Sequence, residues 1–128
     1  MSTDSRRTRG LLGERLAERH LTAAGYRVVE RNFRTRYGEL DLVAADSGAL
    51  VFCEVKTRTE GSRAGPPSPL EAIGRDKRRR LRLMASQWLA KRGGELRPAP
   101  ALLRFDAIGV TLTPAGRLAR IEHVEDAF

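Results

Sequence analysis

One hairpin constrains the fold of this chain more than any other stretch. It runs Gly38-Glu39-Leu40-Asp41-Leu42-Val43, turns at Asp46-Ser47-Gly48, and continues Leu50-Val51-Phe52-Cys53-Glu54-Val55-Lys56. Both arms are rich in β-formers and a turn signal separates them, so two antiparallel strands are expected. Side chains alternate faces along a strand, which puts Leu50, Phe52, Glu54 and Lys56 on one face and Val51, Cys53 and Val55 on the other. Both faces are apolar, so the second arm belongs in the middle of a sheet covered on each side. Asp41, Glu54 and Lys56 therefore sit where apolar residues would be expected.

Register decides whether these charges meet. Glu39, Asp41 and Val43 are expected on one face of the first arm. A two-residue loop at Ser47-Gly48 pairs Asp46 with Ala49, Asp41 with Glu54 and Glu39 with Lys56. A four-residue loop over residues 46–49 gives the same pairing, whereas a three-residue loop puts the two acids on opposite faces. Opposed carboxylates about 5 Å apart repel by roughly 3 kcal/mol at an effective dielectric of about 20. Cross-strand pairs usually contribute only about 0.2–1 kcal/mol, so packing alone would not select this one.

A positive group between the acids resolves the conflict, either Lys56 or a divalent cation. Mg2+ takes one or two carboxylates, keeps several waters and uses phosphate oxygens as further ligands. The combination suits phosphodiester hydrolysis, with Asp41 and Glu54 holding a metal that activates water. Lys56 would orient or deprotonate that water, or stabilise developing charge. The plainer account is a strand end carrying a Glu54–Lys56 pair and an unrelated Asp41.

Around the hairpin, residues 1–9 read as a flexible basic tail and residues 11–24 as a helix closed by Gly25. Leu12, Leu16, Ala17, Leu21, Ala23 and Ala24 form its apolar arc, with Glu14 at the edge and His20 inside as a satisfied boundary histidine. Residues 26–33 suggest a strand, and residues 57–68 a breaker-rich mobile loop. Ser68-Pro69-Leu70-Glu71 carries a capping box and an N1 proline for a helix reaching Arg92, which Gly74 could interrupt. Leu81, Met84, Ala85 and Trp88 form that helix's buried stripe, and Arg75, Arg79 and Arg82 point outward. Lys77 shares the side of Leu81 and must snorkel or meet an acid. Residues 102–112, containing Arg104 and Asp106, and residues 117–124 complete the strands. The order predicts one domain over residues 10–128, an α/β sandwich with a mixed five-stranded sheet and a helix on each face.

With 24 Lys and Arg against 16 Asp and Glu, the chain carries +8. That balance suggests a polyanionic partner, nucleic acid first. The single cysteine, Cys53, lies in an apolar run and reads as a core residue of a reducing compartment. No run is long enough to span a bilayer, and the N-terminus lacks the apolar centre of a signal peptide, so a cytoplasmic protein without membrane contact is expected. Trp88 is committed to the core and Tyr37 is the one aromatic near the site. Recognition by backbone and shape is therefore expected rather than base reading.

Glu14, Gly38-Glu39-Leu40-Asp41-Leu42, Phe52-Cys53-Glu54-Val55-Lys56-Thr57-Arg58, Lys77 and Arg104-Phe105-Asp106 together resemble the YraN family. These bacterial proteins are related to the PD-(D/E)xK nuclease superfamily and similar to archaeal Holliday junction resolvases. The resemblance covers residues 10–128 and implies a restriction-endonuclease-like three-layer sandwich. It implies Asp41 and Glu54 as metal ligands for Mg2+ or Mn2+, Lys56 as the superfamily lysine, and Glu14 as the helix-one acid near the metal. Leu40 stands where the superfamily name has proline. Glu39 and Lys77 match family positions to which no role is assigned. The expected function is a metal-dependent endonuclease acting on DNA rather than RNA, branched or single-stranded. Arg58, Arg75, Lys77, Arg78, Arg79 and Arg82 would contact nucleic acid, with Arg6, Arg7 and Arg9 on the tail, and the resolvase kinship implies a homodimer. The alternatives are a nucleic-acid-binding or assembly module with little turnover, and a protein-interaction domain. Kinship in fold does not establish turnover.

Overall fold

The middle strand of the sheet is the second arm of the hairpin, as its two apolar faces require. In the computed structural model, which describes residues 3–61 and 74–128, it is β3 (Ala49–Thr59). Around it stand α1 (Thr3–Ala23), β1 (Arg27–Thr35), β2 (Gly38–Ala45), α2 (Arg75–Arg92), a 3-10 turn at Gly93–Glu95, β4 (Leu102–Leu112) and β5 (Leu118–Val124). The sheet order is β1-β2-β3-β4-β5, with β3 and β4 parallel and the other pairs antiparallel. The parallel pair is made by the crossover that contains α2.

Two apolar layers seat the helices on opposite faces. Ala17 and Leu21 of α1 pack with Leu42, Ala44, Val51, Cys53, Val55 and Ile108. Leu81, Met84, Ala85 and Trp88 of α2 pack with Leu40, Val43, Leu50 and Phe52. The two side-chain sets of β3 thus enter different cores. The result is an α/β three-layer sandwich. Burial pushes the Cys53 thiol well above its ordinary range, so it stays protonated as a core residue.

Several element boundaries differ from expectation: β1 runs on to Thr35, and β3 continues to Thr59, so residues 57–59, expected as the start of the mobile loop, are strand paired with β4. The first helix begins at Thr3 rather than residue 11 and takes in residues read as tail. Residues 3–10 contain no proline, the single glycine Gly10 costs only about 1 kcal/mol, and Arg9 is tied to Thr59 at the end of β3 (2.8 Å). Ala23 and Ala24 leave the apolar arc and are exposed, because the helix stops there and Gly25 (φ +98°) turns the chain away. Gly74 is extended, so α2 starts after it. The capping box at residues 68–71 lies outside the described residues, as does the loop beyond Gly61.

α1 approaches β3 most closely at Gly13, where a Cβ would fall 1.9 Å from Thr57 Oγ1 and 2.9 Å from Thr57 Cβ. The neighbour is β-branched and anchored in a central strand, so it has little room to yield. Gly13→Ala is expected to destabilise the protein by about 1–3 kcal/mol, the usual range for overpacking. Chemical denaturation of the two proteins side by side checks this; an unchanged midpoint would show that the helix shifts freely.

Candidate active site

The hairpin closes in the even-numbered register. Asp46 N–H donates to Ala49 O (3.0 Å), and the Asp46 carboxylate accepts from the amides of Gly48 and Ala49. Pairing then runs through Ala45↔Leu50 and Val43↔Phe52 to Leu42↔Cys53, and there the β2–β3 ladder ends. Asp41 is thus in register with Glu54, but the strands part at that level. Continued pairing would have Val55 N–H donate to Leu40 O. It donates instead to Asp41 Oδ2 at 2.8 Å. β3 continues beyond the fork on β4 as far as Thr59↔Leu112, and β2 continues on β1.

A second irregularity faces the fork. The β1–β2 ladder pairs Arg31 with Leu42 and Phe33 with Leu40, passing over Asn32 and Asp41. Asn32 has φ +51°, a left-handed conformation that asparagine tolerates better than most residues. Its side-chain amide donates to Glu14 Oε1 (2.7 Å) and to Glu39 Oε1 (2.8 Å). Alternation in β2 breaks here too: Leu40 and Val43 both enter the α2-side core, while Glu39 turns to Glu14 on α1. The expectation that Glu39, Asp41 and Val43 share one face is therefore corrected. The missing β3 partner frees this end of β2 from the strict period of two.

Glu14, Glu39 and Asp41, all half-buried, bring carboxylate oxygens within 4.8 Å of one another. Three hard oxygen donors this close suit Mg2+ or Mn2+, and repulsion among them disfavours full ionisation in the absence of a cation. Burial, followed by the nearby Glu54 charge, pushes the Asp41 carboxyl up to about 8, against the lowering effect of the Val55 amide. The Glu14 carboxyl is likewise raised by burial, which prevails over the Asn32 hydrogen bond and is reinforced by Glu39 and Glu54. A metal bound here would displace protons.

Glu54 is 4% exposed and engages two lysines through one oxygen, Lys77 Nζ at 2.8 Å and Lys56 Nζ at 3.7 Å. Lys77 comes from the first turn of α2, so the lysine on the apolar side of that helix meets an acid. Desolvation and the adjacent Lys77 charge lower the Lys56 ammonium below its ordinary range. Desolvation also acts to lower Lys77, but its hydrogen bond to Glu54 prevails and raises it. The structure therefore brings Glu14 and Asp41 together with Glu39, and places Glu54 with Lys56 and Lys77. Glu54 lies outside the three-carboxylate group.

Arg75, Arg78, Arg79 and Arg82 are exposed along α2, with Arg82 over the Phe105 ring and Arg78 over Phe128. Arg58 lines a cavity of about 340 Å3 with Arg6, Arg9 and Glu14, and on the other side Arg7, Arg34 and Glu39 line one of about 460 Å3 that also reaches Glu14. The sequence reading missed Asn32, whose single visible signal is an asparagine amid β-formers. Glu39 carried no expected role and Lys77 was expected only among the nucleic-acid contacts, because their carboxylate and amide partners lie on other elements.

Fold and site together define an α/β sandwich with a carboxylate–lysine cluster at a fork in its central sheet. The chain belongs to the uncharacterised protein family UPF0102, whose model matches residues 13–110. It is similar to UPF0102 proteins of Rhodococcus jostii (46% identical over 119 residues, 93% of this chain and 94% of that protein) and Frankia alni (47%, 93% and 92%). Its similarity to the Symbiobacterium thermophilum protein is 49%, over 93% and 94% of the two chains. This is the family expected, as YraN, from the hairpin motifs.

Proposed function

We propose that the protein is a Mg2+- or Mn2+-dependent endonuclease that hydrolyses DNA phosphodiester bonds, in branched or single-stranded substrates. The observation that carries this reading is the convergence of Glu14, Glu39 and Asp41 beside the buried Glu54–Lys56 pair at the fork. Asp41, Glu54 and Glu14 would hold the metal, with Glu39 beside Glu14 and Asp41 as a further carboxylate. When bound, the metal supplies Lewis acidity towards a phosphoryl oxygen and a more acidic water. Asn32 fixes the Glu14 and Glu39 carboxylates, and the Val55 amide fixes that of Asp41. Lys56, whose proton is held less tightly than in an ordinary lysine, orients the water or takes its proton. The exposed arginines of α2, with Arg58 and the first turns of α1, contact flanking phosphates, so binding weakens steeply with salt.

The homodimer and the cytoplasmic location belong to this same reading. No helix among the described residues is long and apolar enough to cross a membrane.

Incubation with four-way junction, flap, single-stranded and duplex DNA, with Mg2+ or Mn2+, tests the activity. Cleavage of at least one substrate is expected, abolished by EDTA and by Glu54→Ala. Cleavage that persists in Glu54→Ala would remove the site from the reaction. Salt-sensitive binding without cleavage would favour a binding module on the same fold.

A further inference from the structure

Lys77 is the one site residue contributed by α2. Its ammonium sits 2.8 Å from Glu54 Oε1, closer than Lys56 at 3.7 Å, and both lysines are about one-third exposed while Glu54 is nearly fully buried. A carboxylate this buried requires a cation, and among the described residues Lys77 is the nearer of its two lysine partners. A divalent ion reaching the same oxygen would stand within a few ångströms of Lys77, where like charges repel strongly in a partly desolvated site. The two cations are therefore alternatives at Glu54.

Resting on the metal-dependent reading above, we propose that Lys77 is a positioning residue that holds Glu54 in the metal-free protein and is displaced when a divalent ion engages it. Lys77 then lowers the site's metal affinity and becomes a free phosphate-binding cation after the metal has entered. Because it is carried on the same helix as Arg75, Arg78, Arg79 and Arg82, the released ammonium extends their basic surface to the site itself. Metal binding thus precedes tight engagement of the nucleic acid backbone. Asp41 is held by the uncharged Val55 amide and the Glu14–Glu39 pair by Asn32, with the largely exposed Arg34 3.4 Å from Glu39 Oε2, so the buried Glu54 is where entry of the metal meets the stronger competition.

Calorimetric titration of Mn2+ into the wild type, Lys77→Met and Lys77→Arg tests this without reference to activity. Lys77→Met is expected to bind Mn2+ about tenfold or more tightly than wild type, and Lys77→Arg to stay close to wild type. Equal or weaker binding by Lys77→Met overturns the proposal while leaving the metal site standing. Absence of Mn2+ binding in all three proteins overturns the proposal and the metal reading together. Should Lys77→Met fail to fold, the wild type answers the question: the Lys77 side-chain 13Cε and 15Nζ resonances are expected to shift on addition of Mg2+. Unchanged resonances at saturating Mg2+ overturn the proposal.

Discussion

Asp106→Ala is expected to destabilise the protein by about 3–5 kcal/mol, the range for breaking a buried ion pair by removing one partner. Asp106 is fully buried and receives two hydrogen bonds from Arg104 (2.8 and 2.9 Å), one from His123 Nε2 (2.7 Å) and one from the Asp126 amide (3.0 Å). His123 Nδ1 contacts Nε2 of His20 on α1 (2.9 Å), and Arg104 also reaches the Tyr26 hydroxyl. With His123 donating to the carboxylate, its Nδ1 accepts and His20 Nε2 donates. One carboxylate therefore joins β4, β5, the C-terminal segment and α1. Its removal leaves the Arg104 guanidinium, 14% exposed, with the exposed and more distant Glu125 carboxylate (3.7 Å) in place of its buried charge partner. Domains of this size have only about 5–15 kcal/mol of stability, so a large share disappears. Urea denaturation monitored by the Trp88 fluorescence measures it; a loss below about 1 kcal/mol would mean that Arg104 finds water or Glu125 instead.

The same cluster sets a pH dependence. Burial alone would raise the Asp106 carboxyl, but His123, Arg104 and the Asp126 amide hold it below the usual carboxylate range. A depressed folded value means that its contribution is present above the ordinary carboxylate range and lost as pH falls through the folded one. His20 is lowered by desolvation and then by His123, so its contribution is complete above the ordinary histidine range and lost on acidification. Asp106→Asn should therefore show a flatter acid limb than wild type.

Asp41→Asn is expected to separate function from stability. The proposed nuclease activity should fall by about a hundredfold or more through loss of a proposed metal ligand. In EDTA the variant should nevertheless be more stable than wild type at pH 8. The Asp41 carboxyl lies at about 8 in the folded protein against an ordinary 3.8, so the folded state binds the proton more tightly. That contribution is fully present below the ordinary value and is lost as pH rises through 8, a change of several kcal/mol. Asparagine keeps the shape without the charge and escapes the loss. Thermal melts at pH 5, 7 and 8, with EDTA and with Mn2+, check both halves. Wild type should gain on alkaline buffer exchange only when Mn2+ is present. Parallel pH profiles for the two proteins in EDTA would show that Asp41 does not carry the buried charge.

These effects divide along the line between local and long-range determination. The sheet's middle strand, the Asp46–Ala49 turn and the even register are legible in the chain, because alternation and turn chemistry are properties of neighbouring residues. The Leu81, Met84, Ala85 and Trp88 stripe followed from helical periodicity for the same reason, and the spacing of Asp41, Glu54 and Lys56 marked the site. The partners of the charges depend instead on contacts that the fold creates between distant segments. The fork at Leu42↔Cys53 arises because β2 stays with β1 while β3 follows β4, a competition between strands far apart in the chain. It sends the Asp41 carboxylate to the Val55 amide, turns Glu39 towards α1 through a left-handed Asn32, and leaves Glu54 to a lysine from the crossover helix. Asp106 gathers direct partners from β5 and the C-terminal segment in the same way. Such contacts join residues of unrelated sequence position, and no period or spacing records them.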